Sequence, residues 1–184
     1  IQQQPDVYVL KFKLASLLLA DKQLDKAEEI LKQVVAQDKL GPNGISARDK
    51  LAAIYAANKR IDEAKALIKE VLEANPRDAE ALTLRGEFAF AENKIPDAIS
   101  DFRSVLVDQP NNVTVLKLLA ATHLRNNEPE LARENMEKAV AAAPGDEVAR
   151  LDLAGLLLNA GQDDRARQQI AELLKVNPKS KKGL

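Results

Sequence analysis

The chain holds one histidine, His123, and no cysteine. One imidazole and no thiolate cannot assemble a histidine- or cysteine-rich zinc site, and disulfides and thiol catalysis are excluded outright. A serine triad would have to be built around His123, and no nucleophile-elbow motif occurs. No glycine-rich loop of the phosphate-cradling kind is present. Adjacent acids such as Glu28–Glu29 point apart on a helix and read as a solvated face. The residues that do chemistry are therefore too few and too scattered for catalysis. The expectation is a protein that is not an enzyme and carries no cofactor or metal.

The composition says what must position side chains instead. Of 184 residues 46% are hydrophobic but only 3% aromatic, so the core is built from Leu, Ala, Val and Ile. Abundant Ala, Leu, Glu, Lys and Gln favour helix. With 27 basic against 28 acidic residues, the charge of −1 gives no general attraction to nucleic acid or anionic lipid. The apolar run "LASLLLA" at 14–20 is far too short to span a bilayer. No signal peptide is visible, and because the chain does not begin with Met a removed leader stays open. None of this fixes the compartment, which only a leader or neighbouring domains would decide.

The chain repeats. Prolines 76, 110, 144 and 178 lie 34 residues apart. Twelve residues before each is an alanine (Ala64, Ala98, Ala132, Ala166), and twenty-four before is a small residue (Ala52, Gly86, Ala120, Ala154). Large apolar residues stand eight before: Ile68, Phe102, Met136 and Ile170. Within each frame the apolar residues fall at helical spacing in two blocks separated by a polar turn. Asn and Gly in those turns tolerate the left-handed backbone that ends a helix. Pro96 and Pro129 stand where a second helix begins, and Asp78, Asn112 and Asp146 are placed to cap the next first helix. Each frame is thus a hairpin of helices of roughly 14 residues, about 20 Å long. One hairpin cannot bury its apolar face alone, and stacked hairpins can. His123 occupies the place held by Tyr55, Ala89 and Leu157 in other frames, which marks it as a half-buried packing residue.

The segment "QDKLGPNGIS" (37–46) interrupts the rhythm. Pro5, Ala15, Ala27 and Leu31 keep one phase, and everything from Pro42 keeps another, so three residues are gained near 35–44. The reading adopted runs the second helix a turn further, to about Leu40; a larger loop is the alternative.

A 34-residue helix–turn–helix with a small residue, an alanine and a terminal proline at these offsets resembles the tetratricopeptide repeat family. Four frames match well (45–78, 79–112, 113–146 and 147–180), and 8–41 matches apart from its displaced proline. Together they make residues 1–184 a single array, likened to a fragment of a longer protein. The family's aromatic near the start of the first helix is Lys11, Arg48, Leu82, Leu116 or Arg150 here, and its leucine beside the small residue is Arg85 in one frame. The resemblance implies an all-α fold, an α-solenoid of five stacked helix–turn–helix repeats in a right-handed superhelix. It implies first helices lining a concave groove, and a protein-interaction scaffold that binds a peptide or helix segment. The Lys, Asn and Arg set with which some members clamp C-terminal carboxylates is not matched here.

Carried onto this sequence, the groove comprises Phe12, Ser16, Leu19, Asp49, Ala53, Thr83, Glu87, Phe90, Lys117, Ala121, Leu124, Arg125, Leu151 and Leu158. It is apolar and mixed in sign, without the stripe of Lys and Arg that phosphate binding needs. A protein or peptide partner is expected, with no nucleic acid and no membrane insertion. Two alternatives stay open: a structural or self-associating spacer, and an envelope assembly factor for polysaccharide export or secretion. Because no polar capping helix follows Pro178, weak homo-oligomerisation is expected through the array ends, with the outer face of the last helix, including Ile170, Leu173 and Leu174, partly exposed or covered by another copy.

Overall fold

A computed structural model describes residues 5–176, with side chains from 7 to 175. Among the described residues there are ten helices and no strand. They are α1 (Pro5–Ala20), α2 (Leu24–Asp38), α3 (Pro42–Ala57), α4 (Ile61–Ala74), α5 (Ala79–Ala91), α6 (Ile95–Asp108), α7 (Val113–Arg125), α8 (Pro129–Ala142), α9 (Glu147–Asn159) and α10 (Asp163–Val176). The fold is all-α, of the solenoid class. Two compact units divide after Arg85. In the first, α1 packs on α2, α2 on α3 and α3 on α4. In the second, α6 through α10 pack each on the next. Pro178 and the segment "KSKKGL" lie outside the described residues.

Odd and even helices bury different amounts. The α4 helix buries only Ala64, Ile68 and Val71, one face at helical spacing. The α3 helix buries residues on two sides, among them Ala47, Leu51, Ala52, Ile54 and Tyr55, so it lies between neighbours. The small residues permit this closeness. A Cβ on Gly86 would meet the Phe102 ring at 2.6 Å, and Phe102 is itself fully buried.

The turns inside the hairpins are one repeated device. Lys22, Lys59, Asn93, Asn127 and Gly161 all have positive φ. The N–H of each left-handed residue bonds a carbonyl three back, and the next N–H bonds one five back, as in Asn127 to Leu124 (3.0 Å) and Glu128 to His123 (2.9 Å). This Schellman pairing satisfies the carbonyls a helix end leaves open. Asn and Gly were expected there; two of the five positions are lysines, which hold the left-handed conformation at a cost of about 1–2 kcal/mol each. The caps follow the sequence closely. Asp78 accepts from Ala81 N–H (3.1 Å), Asn112 from Val115 N–H (3.2 Å) and Asp146 from Ala149 N–H (3.0 Å).

Segment 37–46 corrects the expected extension of α2 to Leu40. The helix ends at Asp38, and α3 begins at Pro42, a turn earlier relative to the proline rhythm than α5, α7 or α9. The gained residues mostly lengthen α3 at its start. Asp38 makes this possible, because its carboxylate accepts from Asn43 N–H (2.7 Å) and Gly44 N–H (3.0 Å) and so caps the new first turn. Lys39, at φ 49° and ψ −112°, turns the chain so tightly that a Cβ on Gly44 would stand 2.0 Å from its carbonyl oxygen.

Candidate partner-binding face

The departures from the family aromatic have a shared structural answer. Arg48 is buried; its Nη1 donates to the carbonyls of Lys39 and Gly44 and its Nε to Glu70 (2.8 Å). Arg150 is equally buried, with Nε on the Pro144 carbonyl (2.7 Å) and Nη1 on Gln169 (3.0 Å). Lys11 reaches Gln37 (3.0 Å). Each basic residue ties the first helix of its hairpin to the second, while Leu82 and Leu116 fill the same place as buried apolar residues. Arg85 is exposed.

In the second unit the nominated side chains differ in exposure. On α7, Ala121 and Leu124 are exposed, whereas Leu119, Ala120, Thr122 and His123 between them are buried. On α9, Leu158 is exposed and Leu151 half-buried beside buried Leu153, Ala154 and Leu157. Glu87 and Phe90 on α5 are half-buried, and burial raises the Glu87 carboxyl above its ordinary range. Arg125 was expected to face a partner; it stacks on the Phe90 ring at 4.2 Å and donates to the Phe90 carbonyl at 2.7 Å. Lys117 pairs with Asp146, the cap of α9, at 3.0 Å; the backbone bond from Ala149 and then the Lys117 ammonium hold that carboxyl below its usual range.

In the first unit, Ser16 and Ala53 are exposed, and Phe12, Leu19 and Thr83 are half-buried. The Lys50 ammonium lies over the Phe12 ring at 6.0 Å. Asp49 departs from the expected open groove position, since it is only 4% exposed and its Oδ1 is buried without a hydrogen-bond partner. Burial, with the nearby Asp78 and Glu80 charges, pushes its carboxyl up to about 7.

Three other expectations shift. His123 is fully buried rather than half-buried, with Nδ1 2.6 Å from the Glu128 carboxylate that locks the α7–α8 turn. Glu28 is not simply solvated. It accepts from Arg60 (2.7 Å) and Tyr55 (2.8 Å) and pairs with Lys32, and chiefly the Arg60 bond lowers its carboxyl to about 2. On α10, Leu173 is buried where partial exposure was expected, while Ile170 and Leu174 are half-buried, as expected. The exposed end is α1, where Val7, Leu10, Leu14 and Leu17 form an open stripe. Among the described residues no cluster of three His, Asp or Glu is close enough to hold a metal ion, and no helix is long and apolar enough to cross a membrane.

Helical hairpins locked by repeated left-handed turns, with small residues at the close contacts, define an α-solenoid protein. Two family models, both described as tetratricopeptide repeat, match residues 50–113 and 128–182, and the chain belongs to the tetratricopeptide repeat family. Its array is a scaffold for protein–protein interaction. Among solved structures it is similar to pilF of Pseudomonas aeruginosa, at 19% identity over 94% of this chain and 77% of that one, with a TM-score of 0.81. PilW, a widely conserved type IV pilus biogenesis factor, gives 20% identity, 94% and 79% coverage and a TM-score of 0.77. MamA from Desulfovibrio magneticus RS-1 gives 16%, 97%, 99% and 0.73. At such identities the likeness is one of fold. No curated protein matches the chain in sequence.

Proposed function

We propose that the chain is a non-enzymatic scaffold that holds a peptide or helix segment of a partner protein on the open side of its odd-numbered helices, its frames forming one array of five repeats. The observation that carries this is the pairing of exposed Leu124 and Leu158, 47% and 55% accessible, at the same place in successive frames. Val148, 49% exposed, continues the apolar surface on α9. None of the three is spent on the core, and each offers about 1.5–3 kcal/mol to a partner that covers it. Association costs on the order of 4–15 kcal/mol, so a micromolar affinity is expected from a few such contacts.

Similarity to pilF and PilW favours a bacterial protein of the cell envelope that takes part in assembly; fractionation of cells expressing the full-length parent protein tests this, and a purely cytoplasmic protein would overturn it. A second reading, weak self-association through an array end, is favoured by the open α1 stripe. For the main reading, a photoactivatable residue at Ala121 should capture a partner from native extract that the same residue at Val107, 72% exposed on α6, does not. Equal capture at both positions would reject it.

A further inference from the structure

Leu10, Leu14 and Leu17 on α1 are 64%, 44% and 69% exposed. The frame spacing sets them level with Ala47, Leu51 and Ile54 on α3, and with the residues that follow those at intervals of 34. On α3, α7 and α9 the same places are closed. Ala47, Val115 and Ala149 are at most 1% exposed, Leu51, Leu119 and Leu153 are 2%, and Ile54, Thr122 and Leu156 are at most 9%. On α5 the first place, Ala81, is closed too, while Arg85 is exposed and Phe88 half-buried. Which helix closes these places follows by comparison. Each of α3, α7 and α9 packs on its own second helix and on the one before, whereas α1 packs on its own, α2. With α2 in place, Leu10, Leu14 and Leu17 stay open. A hairpin's own second helix therefore does not cover this side, and the preceding one does. The converse face is on α10, which packs on α9. Ile170 is half-buried there, whereas Leu31, Ile68, Phe102 and Met136 at the same place are at most 4% exposed.

We propose that α10 of one copy of the chain docks on the α1 face of a second copy, seated as α2 is seated on α3. This deepens the self-association reading and rests on it. A second copy is the occupant that the repeat itself supplies. Along α10, Ala166, Ile170 and Leu173 stand at the places that Ala27, Leu31 and Val34 hold on α2, the helix that covers α3. The contact joins two different faces, so each pair leaves one α1 and one α10 open, and association continues with concentration instead of stopping at two copies. All three open places on α1 are leucines, so the contact is apolar and salt weakens it little.

The test is sedimentation of the 184-residue chain from micromolar to millimolar concentration, followed by paramagnetic broadening between copies. Wild type should associate as concentration rises. Leu10→Glu with Leu17→Glu, which changes only exposed side chains, should weaken that association at least about tenfold. The chain has no cysteine, so Lys175→Cys carries a single nitroxide on an exposed position of α10. Mixed with unlabelled 15N chain, the nitroxide should broaden the amides of residues 10–17 in the 15N copy and spare those around Val107. The broadening should disappear when the 15N copy carries Leu10→Glu and Leu17→Glu. A nitroxide at Lys13→Cys on α1 should in turn broaden α10 of the 15N copy. If it broadens α1 instead, the copies pair α1 on α1 and the proposal is overturned. Association without broadening of α1 from α10 overturns the proposal while the self-association reading stands; a strict monomer at millimolar concentration overturns both. None of these outcomes bears on the open side of α7 and α9, which the Ala121 crosslink tests separately.

Discussion

Asp49 is where one side chain most changes how the protein responds to pH. Unfolded, it titrates near its ordinary 3.8; folded, near 7. Between those values the folded state holds a proton that the unfolded state has released, so stability falls as pH rises through the window and is lowest above it. The slope from one such proton is at most about 1.4 kcal/mol per pH unit. Asp49→Asn removes it. Denaturant melts from pH 4 to 8 should show the variant gaining on wild type steadily up to about pH 7, with no difference at pH 4; a constant difference would contradict the assignment. Nothing in the sequence distinguished Asp49 from its neighbours as buried. Its helix spacing placed it on the open face, whereas in the folded chain it is 4% exposed. The same limit applies to Lys117 and Arg125. Their partners within the chain, the α9 cap Asp146 and Phe90 on α5, are distant in sequence, and no periodicity identifies them.

At the scale of the element, the helices and turns were legible because repetition multiplies a weak local signal. A single Asn or Gly is a poor marker of a helix end, whereas Asn93, Asn127 and Gly161 at a 34-residue spacing leave little choice. Lys59 does the same work against its own preference. Lys59→Gly should therefore stabilise the protein by about 0.5–1 kcal/mol, read from thermal or urea melts, since glycine enters that backbone region freely at some entropic expense. A loss of stability would mean the lysine makes compensating contacts. The corner at 37–46 was not legible in detail. Its phase shift was plain, but the choice between lengthening α2, lengthening α3 or looping out rested on Asp38 reaching forward to Asn43 and Gly44. Gly44→Ala should destabilise by at least about 1–3 kcal/mol, because the added carbon meets a backbone oxygen that cannot step aside. A neutral effect would show that the corner relaxes.

At the scale of the molecule, the account separates two kinds of first-helix residue. Those facing neighbouring helices are mostly small or aliphatic and buried, with Arg48, Arg150, Tyr55 and His123 held by hydrogen bonds among them; those on the open side include half-exposed leucines. The fold follows from the first kind and was readable from their spacing. The proposed binding face rests on the second, and the helix spacing nominates its positions without showing which side chains the protein keeps for itself. The most direct test is the affinity of a captured partner for wild type, for Leu124→Glu with Leu158→Glu, and for Val107→Glu as an exposed control on α6. The account predicts that the double variant binds at least about tenfold more weakly, since one lost apolar contact of about 1.5 kcal/mol is enough for that, while Val107→Glu binds as wild type and all three melt alike. Unchanged affinity in the folded double variant would show that partners bind elsewhere and would contradict the central claim.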